Sequence, residues 1–122
     1  MVVSLDIIYK ILVGWAIADK PKTYTELSHE YYDITEEWFE PHGTWDEPLG
    51  EINNILASIG APAITALVIL NDKNEPGGNF WGCASNVPPR PKGELERLTA
   101  WTHIINDIRN YSWEVKLPIK TT

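Results

Sequence analysis

Cysteine is nearly missing: the 122-residue chain holds only Cys83, so no intrachain disulfide can staple it. Nor do Cys and His recur at zinc-finger spacing, which leaves packing to hold the fold. Positive charge is also scarce. Ten Lys and Arg stand against seventeen Asp and Glu, giving a net charge of −7 and a pI near 4.8. Nonspecific attraction to phosphate backbones or anionic lipid is thereby disfavoured. No uncharged apolar run approaches the roughly 18 residues a membrane span needs, and Asp6 and Lys10 interrupt the apolar first eighteen residues. Although Ala16-Ile17-Ala18 has the look of a cleavage site, the interruption argues against a secretory signal, and a cytoplasmic location is expected. Repeats and low-complexity tracts are absent. What the chain does have is 43% hydrophobic residues with six Trp and five Tyr, enough bulk for one globular domain over 1–122.

Periodicity divides the chain into helices. Ser4 is placed to cap a first helix to about Ala18, with Leu5, Ile8, Leu12 and Trp15 on one stripe, widened by Ile7, Ile11 and Ala18. Pro21 breaks it, and Thr23 or Thr25 starts a short second helix from Tyr24 to about Tyr32, Leu27 and Tyr31 facing inward. Residues 33–45 lack a sustained period and read as a loop. Asp46 is expected to cap a third helix in which Leu49, Ile52, Leu56 and Ile59 recur, ended by Gly60 and Pro62. The β-rich run Thr65 to Leu70 reads as a buried strand entering a hairpin-like loop, with Phe80 and Trp81 pairing back on it. The Pro88-Pro89-Arg90-Pro91 stretch reads as an extended connector, and a fourth helix follows over 93–110, carrying Leu95, Leu98, Trp101, Ile105 and Ile108. Tyr111 to Leu117 alternates loosely, as a terminal strand or strap would. The expected class is α+β: a single, mostly helical domain with a small β-hairpin or sheet.

Helix, short helix, loop, longer helix, strand and glycine-rich loop is the order of a winged helix-turn-helix. The segments Thr23-Tyr24-Thr25-Glu26-Leu27, Pro48-Leu49-Gly50-Glu51-Ile52, Gly60 to Ile69 and Pro76-Gly77-Gly78-Asn79-Phe80 carry a closer likeness. Over about residues 21–82 the chain resembles the DNA-binding domain of the alkylguanine-DNA alkyltransferases and alkyltransferase-like proteins. It also resembles small bacterial proteins of unassigned role, some carried on mobile elements. The resemblance implies a winged-helix-like centre at 21–82 with the 93–110 helix packed on it. It does not extend to the chemistry. The family's Pro-Cys-His-Arg signature, whose thiolate accepts the alkyl group, is matched here by roughly Thr65-Ala66-Leu67-Val68. Where the family's recognition helix carries an arginine that enters the duplex, this chain has Asp46, Glu47 and Glu51.

The sign reversal extends well beyond that helix. Lys22 to Lys73 encloses no Lys or Arg but includes Glu26, Glu30, Asp33, Glu36, Glu37, Glu40, Asp46, Glu47 and Glu51. Duplex DNA is therefore disfavoured as a partner of this helix. Trp38, Phe39 and Trp45 lie among the acids, and Phe80 and Trp81 follow the glycine loop. Aromatic faces beside carboxylates suit a cation, although the same rings would serve equally as core filling. The expected ligand-binding set is Trp38, Phe39, Trp45, Glu47, Glu51, Phe80 and Trp81, facing a small cationic ligand or a cationic protein surface. His29 lacks a second ligand four residues on and His42 has no fixed spacing to it, so neither metal nor cofactor is expected. His103 reads as a helical surface residue, and Cys83 as a small buried thiol without a neighbouring base. No acid-base constellation stands out, and the reading leans to a non-enzymatic binding module. Two alternatives stay open: a nucleic-acid-associated winged helix using Arg90, Lys92, Arg97, Arg109, Lys116 and Lys120, or an acidic mimic of DNA.

Overall fold

A computed structural model describes residues 3–41, 43–73 and 75–114. The order is α1 (Leu5–Ala18), β1 (Lys22–Thr23), α2 (Tyr24–Thr35), α3 (Asp46–Ser58), a 3-10 turn (Ile64–Leu67), β2 (Val68–Ile69), a second 3-10 turn (Gly78–Phe80) and α4 (Glu94–Arg109). The fold is α+β and mostly helical.

Local chemistry accounts for the helix starts. Ser4 Oγ accepts from Ile7 N at 3.4 Å, and Ser4 N–H donates to Tyr31 Oη at 2.8 Å, so the start of α1 is tied to α2 as well as capped. Thr23 and Glu26 form a reciprocal capping box on α2. This helix runs three residues past the expected Tyr32, and Glu36 ends it in the left-handed region at φ 62°. Trp45, not Asp46, precedes α3, with no side-chain cap; Asp46 is the first helical residue and its carboxylate is left for other work. The stripes Ile8, Ile11, Leu12 and Trp15, Leu27 and Tyr31, and Leu49, Ile52 and Leu56 are all buried. On α4 the inward face is Ile104, Ile105 and Ile108; Leu95 and Leu98 of the expected stripe are exposed.

The β expectation needs correction. Only Val68 and Ile69 of the 65–70 run are extended, and they pair in parallel with Lys22 and Thr23. Residues Ile64–Leu67 instead coil as a 3-10 turn touching α1, α3 and α4, with every residue buried. Trp101 fastens α4 to that turn by donating its indole N–H to the Ala66 carbonyl at 2.8 Å. Phe80 and Trp81 do not pair back on β2, and no hairpin wing forms among the described residues. The strand or strap expected over 111–117 shows no strand as far as Glu114, and its remainder lies outside the described residues. Among the described residues no helix is long and apolar enough to cross a membrane.

The loop between α2 and α3 has a fixed anchor. The Trp45 ring is fully buried, edge-on to Tyr31 and Phe39 with centroids 5.4 and 5.8 Å away. Its indole N–H donates to Ser28 Oγ at 2.9 Å, and the Ser28 hydroxyl donates to the Phe39 carbonyl at 2.6 Å. Ser28→Ala leaves the Trp45 indole N–H unpaired in the core and frees the part-buried Phe39 carbonyl, at a cost of about 1–3 kcal/mol. A urea titration should show the midpoint fall without a change in slope; an unmoved midpoint would mean that the pair does not hold the loop.

Candidate functional site

The start of α3 divides the proposed residues between two sides. On one side Glu47 and Glu51, one helical turn apart and both exposed, border a groove with Phe39, Thr44, Pro48 and the side chains of Val3 and Leu5. The groove encloses about 780 Å³ of empty space, open solvent included. Neither carboxylate is ion-paired among the described residues; the ion pairs there are Lys22–Glu30, Arg97–Glu75 and Arg109–Asp19. Glu47 lies in the first turn, where the helix dipole steadies a negative charge, while Glu51 lies a turn further on with less of that support.

Three of the seven residues proposed for a ligand thus meet: Phe39, Glu47 and Glu51. The others do not join them. Trp45 is completely buried and presents no ring face to solvent, so its assignment to the ligand is corrected: its indole is an anchor of the core. Phe80 and Trp81 are buried too, packed edge-on with centroids 5.3 Å apart, and serve as core rather than as an open face. Trp38 is 44% exposed but sits against His29 and Tyr32, its indole N–H donating to Glu40 at 3.4 Å, away from the groove lining.

On the other side of α3 lies a second, narrower cleft, which sequence reasoning did not single out. Tyr24, Asp46, Leu49, Gly50, Asn53, Thr65, Asn79, Phe80 and Cys83 line it, around about 260 Å³ of empty space including open solvent. Asn53 is fully buried and donates through Nδ2 to Thr65 Oγ1 at 2.6 Å and to Cys83 Sγ at 3.3 Å. Its Oδ1 has no partner. At the mouth, Asn79 Nδ2 donates to Asp46 at 2.8 Å, and Gly77 N–H donates to Tyr24 Oη at 3.1 Å. A Cβ at Gly77 would stand 3.0 Å from that phenol oxygen, so a larger residue there would oblige Tyr24 to shift by a few tenths of an ångström. Cys83, expected to be buried, is half-buried. The one advance signal was Asn53 itself, an amide beside the apolar stripe of α3.

The basic residues offered for nucleic acid are partly spent. Arg97 is held by Glu75 at 3.2 Å with both side chains largely covered, and Arg109 pairs with Asp19 at 3.1 Å. Arg90 and Lys92 are exposed in the connector before α4, and Lys116 and Lys120 lie outside the described residues. His103 is exposed on α4, and no group of three or more His, Cys, Asp or Glu suited to a metal occurs among the described residues. Compared with known proteins, the chain matches no family model, no curated protein and no solved structure.

Burial raises the Tyr24 phenol above its ordinary value, opposed by the Gly77 N–H and reinforced by Asp46 and Cys83; burial likewise raises Tyr9, helped by Tyr111 and Glu114. Both phenols hold their protons more tightly folded than unfolded. Their contribution to stability is therefore complete below the usual phenol value of about 10 and is lost as pH rises through the folded values. Thermal unfolding followed against pH should show Tm falling on the alkaline side of that value, with the fall reduced in Tyr24→Phe. A Tm that declines identically in wild type and Tyr24→Phe would contradict the assignment to Tyr24.

Proposed function

We propose that the protein is a non-enzymatic binding module whose acidic groove receives a cationic partner. The observation that carries the reading is the pair Glu47 and Glu51, unpaired by any cation among the described residues and set beside the Phe39 ring in one open groove. A cation there gains from both carboxylates and from the ring, while its apolar stem packs on Val3, Leu5 and Pro48. The magnitudes favour a protein over a lone small molecule. Two exposed carboxylates contribute about 0.2–1 kcal/mol each, and an exposed ring contact about 0.5–1 kcal/mol more. A single small cation is then held weakly, whereas a polypeptide surface that places several Lys or Arg side chains along the groove adds contacts without meeting the entropy cost anew each time. The reading places the protein in the cytoplasm and assigns it no cofactor.

A peptide bearing three arginines, titrated by calorimetry at low salt, should bind the whole chain, and its affinity should fall as salt screens the exposed charges. The double variant Glu47→Gln/Glu51→Gln should lose about tenfold in affinity, as expected from some 1.4 kcal/mol. Trp38→Ala should leave binding unchanged. Affinity lost with Trp38 and kept in the double variant would move the site to the His29–Trp38 face and overturn the reading.

A further inference from the structure

The connector that leads into α4 is built as a ridge rather than a loose link. Proline holds φ at about −65° at Pro88, Pro89 and Pro91 and confines the residue before each, so Val87, Pro88 and Arg90 are kept extended. Residues 88–91 accordingly carry no helix, strand or turn, and Gly93 at the cap of α4 is still extended at φ −86° and ψ 149°. Both ends are fixed. Gly82 N–H donates to the Pro88 carbonyl at 2.9 Å, and Arg97, itself held by Glu75, donates to the Pro91 and Lys92 carbonyls at 3.4 and 3.0 Å. Pro88, Pro89, Arg90 and Lys92 are exposed along the ridge. Neither Arg90 nor Lys92 is ion-paired among the described residues, and they are the only two such cations there within three residues of one another.

A polyproline ridge of this kind is already ordered before it binds, and its general complement is a groove with an aromatic wall. The groove beside α3 has the matching parts: Phe39, Pro48, Val3 and Leu5 for the prolines, and the unpaired Glu47 and Glu51 for the cations. The spacings agree as well. At about 3.1 Å per residue Arg90 and Lys92 lie roughly 6 Å apart along the ridge, and four residues at about 1.5 Å each separate Glu47 from Glu51 by roughly the same rise. Long Arg and Lys stems take up the difference in direction. The ridge is tied down at both ends and none of its residues lines the groove of its own chain, so the two halves meet between molecules. We propose that the occupant of the groove is the Pro88–Lys92 ridge of a second copy of this chain, a heterologous contact in which each copy offers one ridge and one groove. The proposal rests on the groove reading above and names its partner.

Sedimentation of the whole chain tests it. The average mass of the wild type should rise with concentration. Glu47→Gln/Glu51→Gln, which disables the groove, and Arg90→Gln/Lys92→Gln, which disables the ridge, should each weaken self-association about tenfold. The first pair of substitutions lowers the net negative charge and the second raises it, so a loss in both cannot come from net charge. The two variants mixed should form a one-to-one complex, because the first keeps its ridge and the second its groove. All four positions are exposed, and circular dichroism should show the fold kept in both variants. A wild type that stays monomeric up to about 1 mM would overturn the proposal. Association lost in only one of the two variants, or no complex in their mixture, would overturn it too. An arginine peptide bound through Glu47 and Glu51 by a chain that stays monomeric sinks this inference and leaves the groove reading standing; failure of that peptide as well sinks both.

Discussion

The hydroxyl of Ser28 is the point on which the acidic half of the molecule hangs. It accepts from the buried Trp45 indole and donates to the Phe39 carbonyl, so one side chain of α2 fixes both ends of the stretch leading into α3. Without that pair, Trp45 would have an unsatisfied N–H in the core and the connecting loop would have no registered path. With it, Phe39 is turned toward one flank of α3 and Asp46 begins the helix on the other. The groove and the cleft follow from this single placement.

Helix α3 then works as a partition. Its buried stripe of Leu49, Ile52 and Leu56 faces the core, leaving two margins of different character. One margin is open and carries Glu47 and Glu51 beside an aromatic ring; the other is narrow and carries Asp46 and the buried amide of Asn53. Both margins are rich in acceptors and without cations in their linings, as the scarcity of Lys and Arg between Lys22 and Lys73 leads one to expect. Asp46 and Glu47 are tolerated there because the first turn of a helix welcomes negative charge, and Glu51, a turn further on, is exposed to water. That tolerance also limits how much a partner gains, since a carboxylate already steadied by the dipole has less to win from a counter-ion.

Much of this could be read from the amino acids. The four helices follow from their apolar period, and the first two also from capping chemistry, with Ser4 and Thr23 doing as their types suggest; α3 and α4 begin without a side-chain cap. The run Thr65 to Leu70 misled because a short apolar stretch buried on all sides has no face to reveal its period. Its extended part is completed by Lys22 and Thr23, a partner far away in the chain that no local signal announces. Rings misled in a similar way: Trp38 and Trp45 stand in comparable acidic surroundings, yet only the second finds a buried acceptor in Ser28. The groove was half visible, since Glu47 and Glu51 are spaced to share a face. The cleft was not, because it needs Asn53, Thr65 and Cys83 brought together from three separate segments.

The most direct test of cation binding beside α3 is a backbone-amide NMR titration of the whole chain with an arginine-rich peptide. The account predicts that the perturbed signals converge on Phe39, Thr44, Glu47 and Glu51, with the Trp45 indole N–H signal kept in slow exchange throughout. Perturbations centred on His29, Tyr32 and Trp38, or spread evenly over every acidic residue of the surface, would contradict it.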